Sequence, residues 1–77
     1  MPRYYFNVSD HARVIIDDEG IELPGLDAAR EEAVAAAREL VSQSVLKGAA
    51  CNGRAFEIVD DQGRVVLTVP FNEALQH

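Results

Sequence analysis

Cysteine is nearly absent. Cys51 stands alone, which excludes an internal disulfide and any cysteine-rich zinc site. Basic residues are also scarce: seven Lys and Arg face thirteen Asp and Glu, leaving a formal charge of −6. A field of that sign repels phosphate backbones and anionic membranes, so nucleic acid and lipid surfaces are poor partners on charge alone. No apolar run approaches membrane-spanning length, and the opening MPRYYF has neither an apolar core nor a basic flank of a leader. A cytoplasmic protein with no membrane association is the expectation. Nucleophile elbow, phosphate loop and dinucleotide glycine pattern are all missing, as are internal repeats and low-complexity runs. The reading is therefore a non-enzyme without a cofactor.

What the chain does contain is organised around Leu26–Gly48, the one segment long and periodic enough for a confident helix. At a helical period Leu26, Ala29, Ala33, Val34, Ala36, Ala37, Leu40, Val41, Ser44 and Val45 fall on one arc. Glu31, Glu32, Arg38, Glu39, Ser42 and Gln43 fall on the other. Asp27 is placed to cap the first turn, Lys47 lies near the negative end of the helix dipole, and Gly48 suits a left-handed stop. A stripe made mostly of alanine lets a sheet with larger side chains approach the helix backbone closely.

Four segments alternate with period two. Arg3–Val8 sends Tyr4, Phe6 and Val8 to one face; Arg13–Asp17 follows a polar turn at Ser9-Asp10-His11. Asp17-Asp18-Glu19-Gly20 breaks the chain, and Ile21–Gly25 adds two apolar groups before the helix. Arg54–Asp60 points Phe56 and Ile58 inward, and Asp61-Gln62-Gly63 reads as a type I turn with Gly63 in a bulge. Arg64–Val69 then places Val65, Leu67 and Val69 on one face and Val66 on the other. Pro70 ends that strand, and Phe71–Leu75 reads as one helical turn capped by Asn72. The predicted fold is α+β and spans residues 1–77 as a single small domain. Two antiparallel hairpins are joined by one long helix, which packs on one face of a four-stranded sheet.

One helix covers one sheet face. The other would show Tyr5, Ile15, Val59 and Val66 among Arg3, Arg13, Glu57, Arg64 and Thr68, more apolar than a solvated face requires. A chain of this length buries only roughly 60–65% of its unfolded surface, so association would add to a thin core. These residues predict an interaction module that forms a homodimer or takes a small protein partner, with Arg3, Tyr5, Ile15, Val59, Arg64 and Val66 at the contact. A single-stranded nucleic-acid platform, with Tyr5 stacking a base and Arg3, Arg13 and Arg64 on phosphates, is the alternative. One aromatic, Glu57 and the net charge weigh against it.

The opening Met1-Pro2-Arg3-Tyr4-Tyr5-Phe6, the run Asp18-Glu19-Gly20-Ile21-Glu22-Leu23-Pro24, the alanine-rich helix, and Asp61-Gln62-Gly63-Arg64 followed by Val69-Pro70-Phe71 resemble a family of short uncharacterised alphaproteobacterial domains of unknown function. The resemblance covers essentially the whole chain and implies no catalytic residue. Ser9-Asp10-His11-Ala12 departs from a more glycine-rich turn in that family. Leu23-Pro24-Gly25 followed by the Glu-Ala pairs of the helix is also similar to HicB-type antitoxins, which would imply a protein-binding module.

Other chemistry-bearing residues have plainer readings. Asp17-Asp18-Glu19 with Glu22 is the densest set of oxygen ligands, but lacks the spacing of a calcium loop and reads as a solvated turn; Asp60-Asp61 reads the same way. Cys51 has only His11 and His77 as conceivable bases, neither with an orienting carboxylate, so a small loop cysteine is the expectation. Ser42 and Ser44 sit in the last helical turns. Leu46, apolar on the wet helix face, reads as covered by the following loop.

Overall fold

The computed structural model describes residues 1–10, 12–43 and 53–74. The elements run β1 (Arg3–Ser9), β2 (Val14–Ile15), β3 (Ile21–Glu22), α1 (Leu26–Gln43), β4 (Ala55–Val59), β5 (Val65–Pro70) and α2 (Phe71–Ala74). The sheet is antiparallel with order β2-β1-β4-β5, and β3 pairs with β1 on the same edge as β2. The α+β class and the single main helix agree with the sequence. The sheet has five strands rather than four, and the second predicted strand, Arg13–Asp17, is reduced to two residues.

The reason lies at Asp17. Its main-chain N–H donates to Asn7 Oδ1 (2.9 Å), and its own Oδ2 accepts from Phe6 N–H (3.0 Å). Oδ1 accepts from Glu19 and Gly20 N–H at 3.1 and 3.2 Å. The side chain thus takes the ladder position that a backbone carbonyl would hold, and lets the chain leave the β1 edge after Ile15 and return at Ile21. Gly20 has φ +70°, and a Cβ there would fall 2.9 Å from Arg3 Cγ, Tyr4 O and Tyr5 Cε2. Glycine is required at that position on both counts.

β1 pairs with β4 from Tyr5↔Val59 to Ser9↔Ala55, and β4 with β5 from Ala55↔Pro70 to Ile58↔Leu67. The turn between β4 and β5 closes as expected, with Gly63 at φ +83° and its N–H on Asp60 C=O at 3.1 Å. Beyond it the register shifts, so that Val59 faces Val65 and the ladder resumes at Ile58↔Leu67. Val66 is the extra residue of a bulge. Phe71 N–H bonds Arg54 C=O at 2.9 Å, so Val69 and Leu67 direct their main chain to β4 while Pro70 faces the outer edge, where its missing donor costs nothing.

The core lies between the sheet and the helices: Tyr4, Phe56, Ile58 and Val69 from the sheet, Ala29, Ala33 and Ala37 from α1, and Phe71 from α2. All three alanines are fully buried, which brings the helix axis close over the β4–β5 half of the sheet. Phe56 bridges the cluster, edge-on to Phe6 (6.1 Å) and tilted against Phe71 (5.1 Å). Arg30 of α1 is paired with Glu73 of α2. The predicted helix stripe is narrowed, because Leu26 and Leu40 are exposed and Val34 and Ala36 only flank the core. Two predicted caps are also displaced: α1 starts at Leu26 and α2 at Phe71, so Asp27 and Asn72 lie inside their first turns. His11, Ser44, Val45, Leu46, Lys47, Gly48, Cys51 and His77 lie outside the described residues.

Candidate functional site

The sheet face away from α1 is built by alternation. Opposed residues of an antiparallel pair share a face, so Tyr5, Val59 and Val65 form one row across β1, β4 and β5, and Asn7, Glu57 and Thr68 form the next. The first row is apolar, the second polar. Val65 is 56% exposed, while Tyr5 and Val59 are half-buried by their neighbours, Tyr5 with its ring edge near Gly20. Both helices belong to the core on the opposite face, so among the described residues no helix lies over this row.

Of the six residues the sequence assigns to a contact surface, Arg3, Tyr5 and Val59 are together here. Arg3 is held by the β2–β3 loop and by β3: Nη1 donates to Glu19 C=O (2.6 Å), and Nη2 lies 3.4 Å from Glu22 Oε2. Arg64 sits at the turn, with Nη2 on Gln62 Oε1 (2.7 Å) and Nε 3.4 Å from Asp60 Oδ2. Ile15 pairs with Val8 and so lies on the α1 side of the sheet, contrary to the period-two reading that grouped it with Tyr5. Val66 packs against the core because the bulge turns it there, and Val65 takes the outer position that Val66 was expected to hold. No local signal in Arg64–Val69 marks the bulge. It becomes visible only once β4 sets the register.

The acidic turns are occupied by main-chain donors. Asp10 Oδ1 accepts from Ala12 (2.8 Å) and Arg13 (3.0 Å), and Asp60 Oδ1 accepts from Gln62 (2.9 Å) and Arg64 (3.0 Å). The Ala12 and Arg13 N–H groups hold the Asp10 carboxyl below its ordinary 3.8, and the Arg64 N–H does so first for Asp60, with Gln62 and the Arg64 charge adding to it. For Asp17 partial burial pushes upward, but the donors of Phe6, Gly20 and Glu19 outweigh it and the carboxyl titrates low. These carboxylates close turns. Among the described residues no group of three or more His, Cys, Asp or Glu is placed to hold a metal ion, and no helix is long and apolar enough to cross a membrane. The shallow hollow beside Arg30, Glu31, Val34, Ala35 and Arg38 runs along the outer flank of α1 and converges no catalytic groups.

No curated protein and no solved structure matches the chain. A family model described as a domain of unknown function, DUF6894, matches residues 3–72, from the start of β1 into α2. That span carries all five strands and α1, in agreement with the uncharacterised domain family that the sequence resembles, and the chain belongs to the DUF6894 family.

Proposed function

We propose that this chain is a non-enzymatic protein-interaction module whose sheet face away from α1 receives a partner protein. The row Tyr5–Val59–Val65 carries the reading. Three strands bring an aromatic and two β-branched side chains side by side where α1 does not cover them. An apolar centre beside the polar row Asn7–Glu57–Thr68 has the anatomy of an interface core with its rim. Glu57 within that rim and the net charge of −6 favour a protein over a phosphate backbone. Two of the three arginines that a nucleic-acid platform would use are committed to internal acceptors, Arg3 to Glu19 and Glu22 and Arg64 to Asp60 and Gln62.

Val65→Glu tests the reading, because an exposed position changes stability by only about 0.5 kcal/mol. Affinity capture from the source cell with parent and variant as baits is expected to recover a discrete protein with the parent and to lose it with Val65→Glu at unchanged melting temperature. Equal recovery by both baits, or no specific protein with either, contradicts the proposal.

A further inference from the structure

The edge of the sheet beside β2 has its own chemistry. Val14, Ile15 and Ile16 are consecutive, apolar and 47%, 53% and 62% exposed, and among the described residues no strand lies beyond β2. Asp10 N–H donates to Arg13 C=O at 3.0 Å, so in the ladder that continues at Val8↔Ile15 the main chain of Arg13 and Ile15 faces β1. By alternation the main-chain groups of Val14 and Ile16 face outward. Native sheets usually blunt such an edge with charge, proline or a bulge. Here the charges stand only at the ends, as Arg13-Val14-Ile15-Ile16-Asp17.

That segment is complementary to itself. Turned antiparallel about Ile15, it sets Arg13 of one copy opposite the acidic Asp17-Asp18 end of the other, Val14 opposite Ile16, and Ile15 opposite Ile15. The outward residues are then the ones that meet, so Val14 and Ile16 exchange both main-chain hydrogen bonds, twice by symmetry. A slip of one residue breaks this match of outward groups, and a slip of two keeps it but separates Arg13 from Asp17. We infer that two copies of this chain join along β2 into one continuous antiparallel sheet. The two-fold axis stands perpendicular to the sheet, which puts both α1 helices on one side and both Tyr5–Val59–Val65 rows on the other. The inference stands apart from the partner reading, since it uses the edge and not the face.

Light scattering on the full chain from micromolar to millimolar concentration tests it. The parent is expected to dimerise. Ile16→Lys and, separately, Arg13→Glu are each expected to raise the dimer dissociation constant about tenfold or more with unchanged far-UV circular dichroism. Val65→Glu is expected to leave the dimer intact. A parent that stays monomeric throughout overturns the inference, as does a dimer that neither edge variant weakens or that Val65→Glu dissociates. If Ile16→Lys fails to fold, Arg13→Glu, at an exposed position, decides by itself.

Discussion

Asp17 carries more structural work than any other single side chain described. A hairpin residue two or three positions from a turn normally continues the ladder with its own carbonyl. Asp17 instead presents a carboxylate to Phe6, Glu19 and Gly20 N–H, and so decides where β2 stops and β3 begins. Asp10 and Asp60 do the same at the two hairpin turns. All three are held below the ordinary aspartate value, which fixes the sign of the pH dependence. A carboxyl with a depressed folded-state pKa contributes stability that is present above the unfolded value of 3.8 and is lost as pH falls through the folded one. Urea unfolding from about pH 6 down to about pH 2.5 is therefore expected to show a plateau and then a fall below 3.8. Asp17→Asn is expected to lower the plateau by about 1 kcal/mol, since the group is only partly shielded from water, and to flatten the fall. A variant with the parent's profile would show that the carboxylate does not hold the loop.

At the scale of elements, α1 is defined by what it lacks. Ala29, Ala33 and Ala37 present almost no side chain, so the sheet's own Phe56, Ile58 and Val69 fill the space below them. Ala33→Leu is expected to destabilise by about 1–3 kcal/mol through overpacking, whereas Ala35→Leu, on the exposed flank, should be near neutral. Thermal melts of the pair separate the two, and equal effects would mean that the helix does not sit where its alanines point. The alanine stripe, the alternation of β1 and β4 and the Asp-Gln-Gly turn were legible in the sequence because each is a local pattern. Register between distant strands is not local. Ile15 takes its face from Val8, and Val65 its face from Val59, so the period-two reading put both on the wrong side. β3 is two residues long and carries no period at all; only Gly20, which no other residue could replace, marks the place where the chain turns back. Arg3, Tyr5 and Val59 lie on one face as the alternation predicts, because β1 and β4 are regular where they meet.

The whole molecule is a slab of 35 × 26 × 17 Å. Its thin dimension leaves room for one sheet and one helical layer, each pair of layers being about 10 Å apart. A two-layer chain with 48% hydrophobic residues must leave apolar groups outside, and Met1, Ile21, Leu26 and Leu40 are exposed singly. Two groups are contiguous: the row Tyr5–Val59–Val65 on the open face, of which Val65 is exposed and the other two half-buried, and Val14–Ile15–Ile16 along the β2 edge. The charge of −6 sets the sign of the molecule's field, which opposes random association and leaves matched surfaces to decide the contacts. The proposed partner surface is the open face. The most direct measurement places a photo-crosslinking amino acid at Val65 and, as control, at Glu32 on the exposed side of α1, and irradiates intact cells of the source organism. A discrete protein adduct is expected from Val65, removed by Val59→Glu, and none of that mass from Glu32. The same adducts from both positions, or none from Val65, would contradict it.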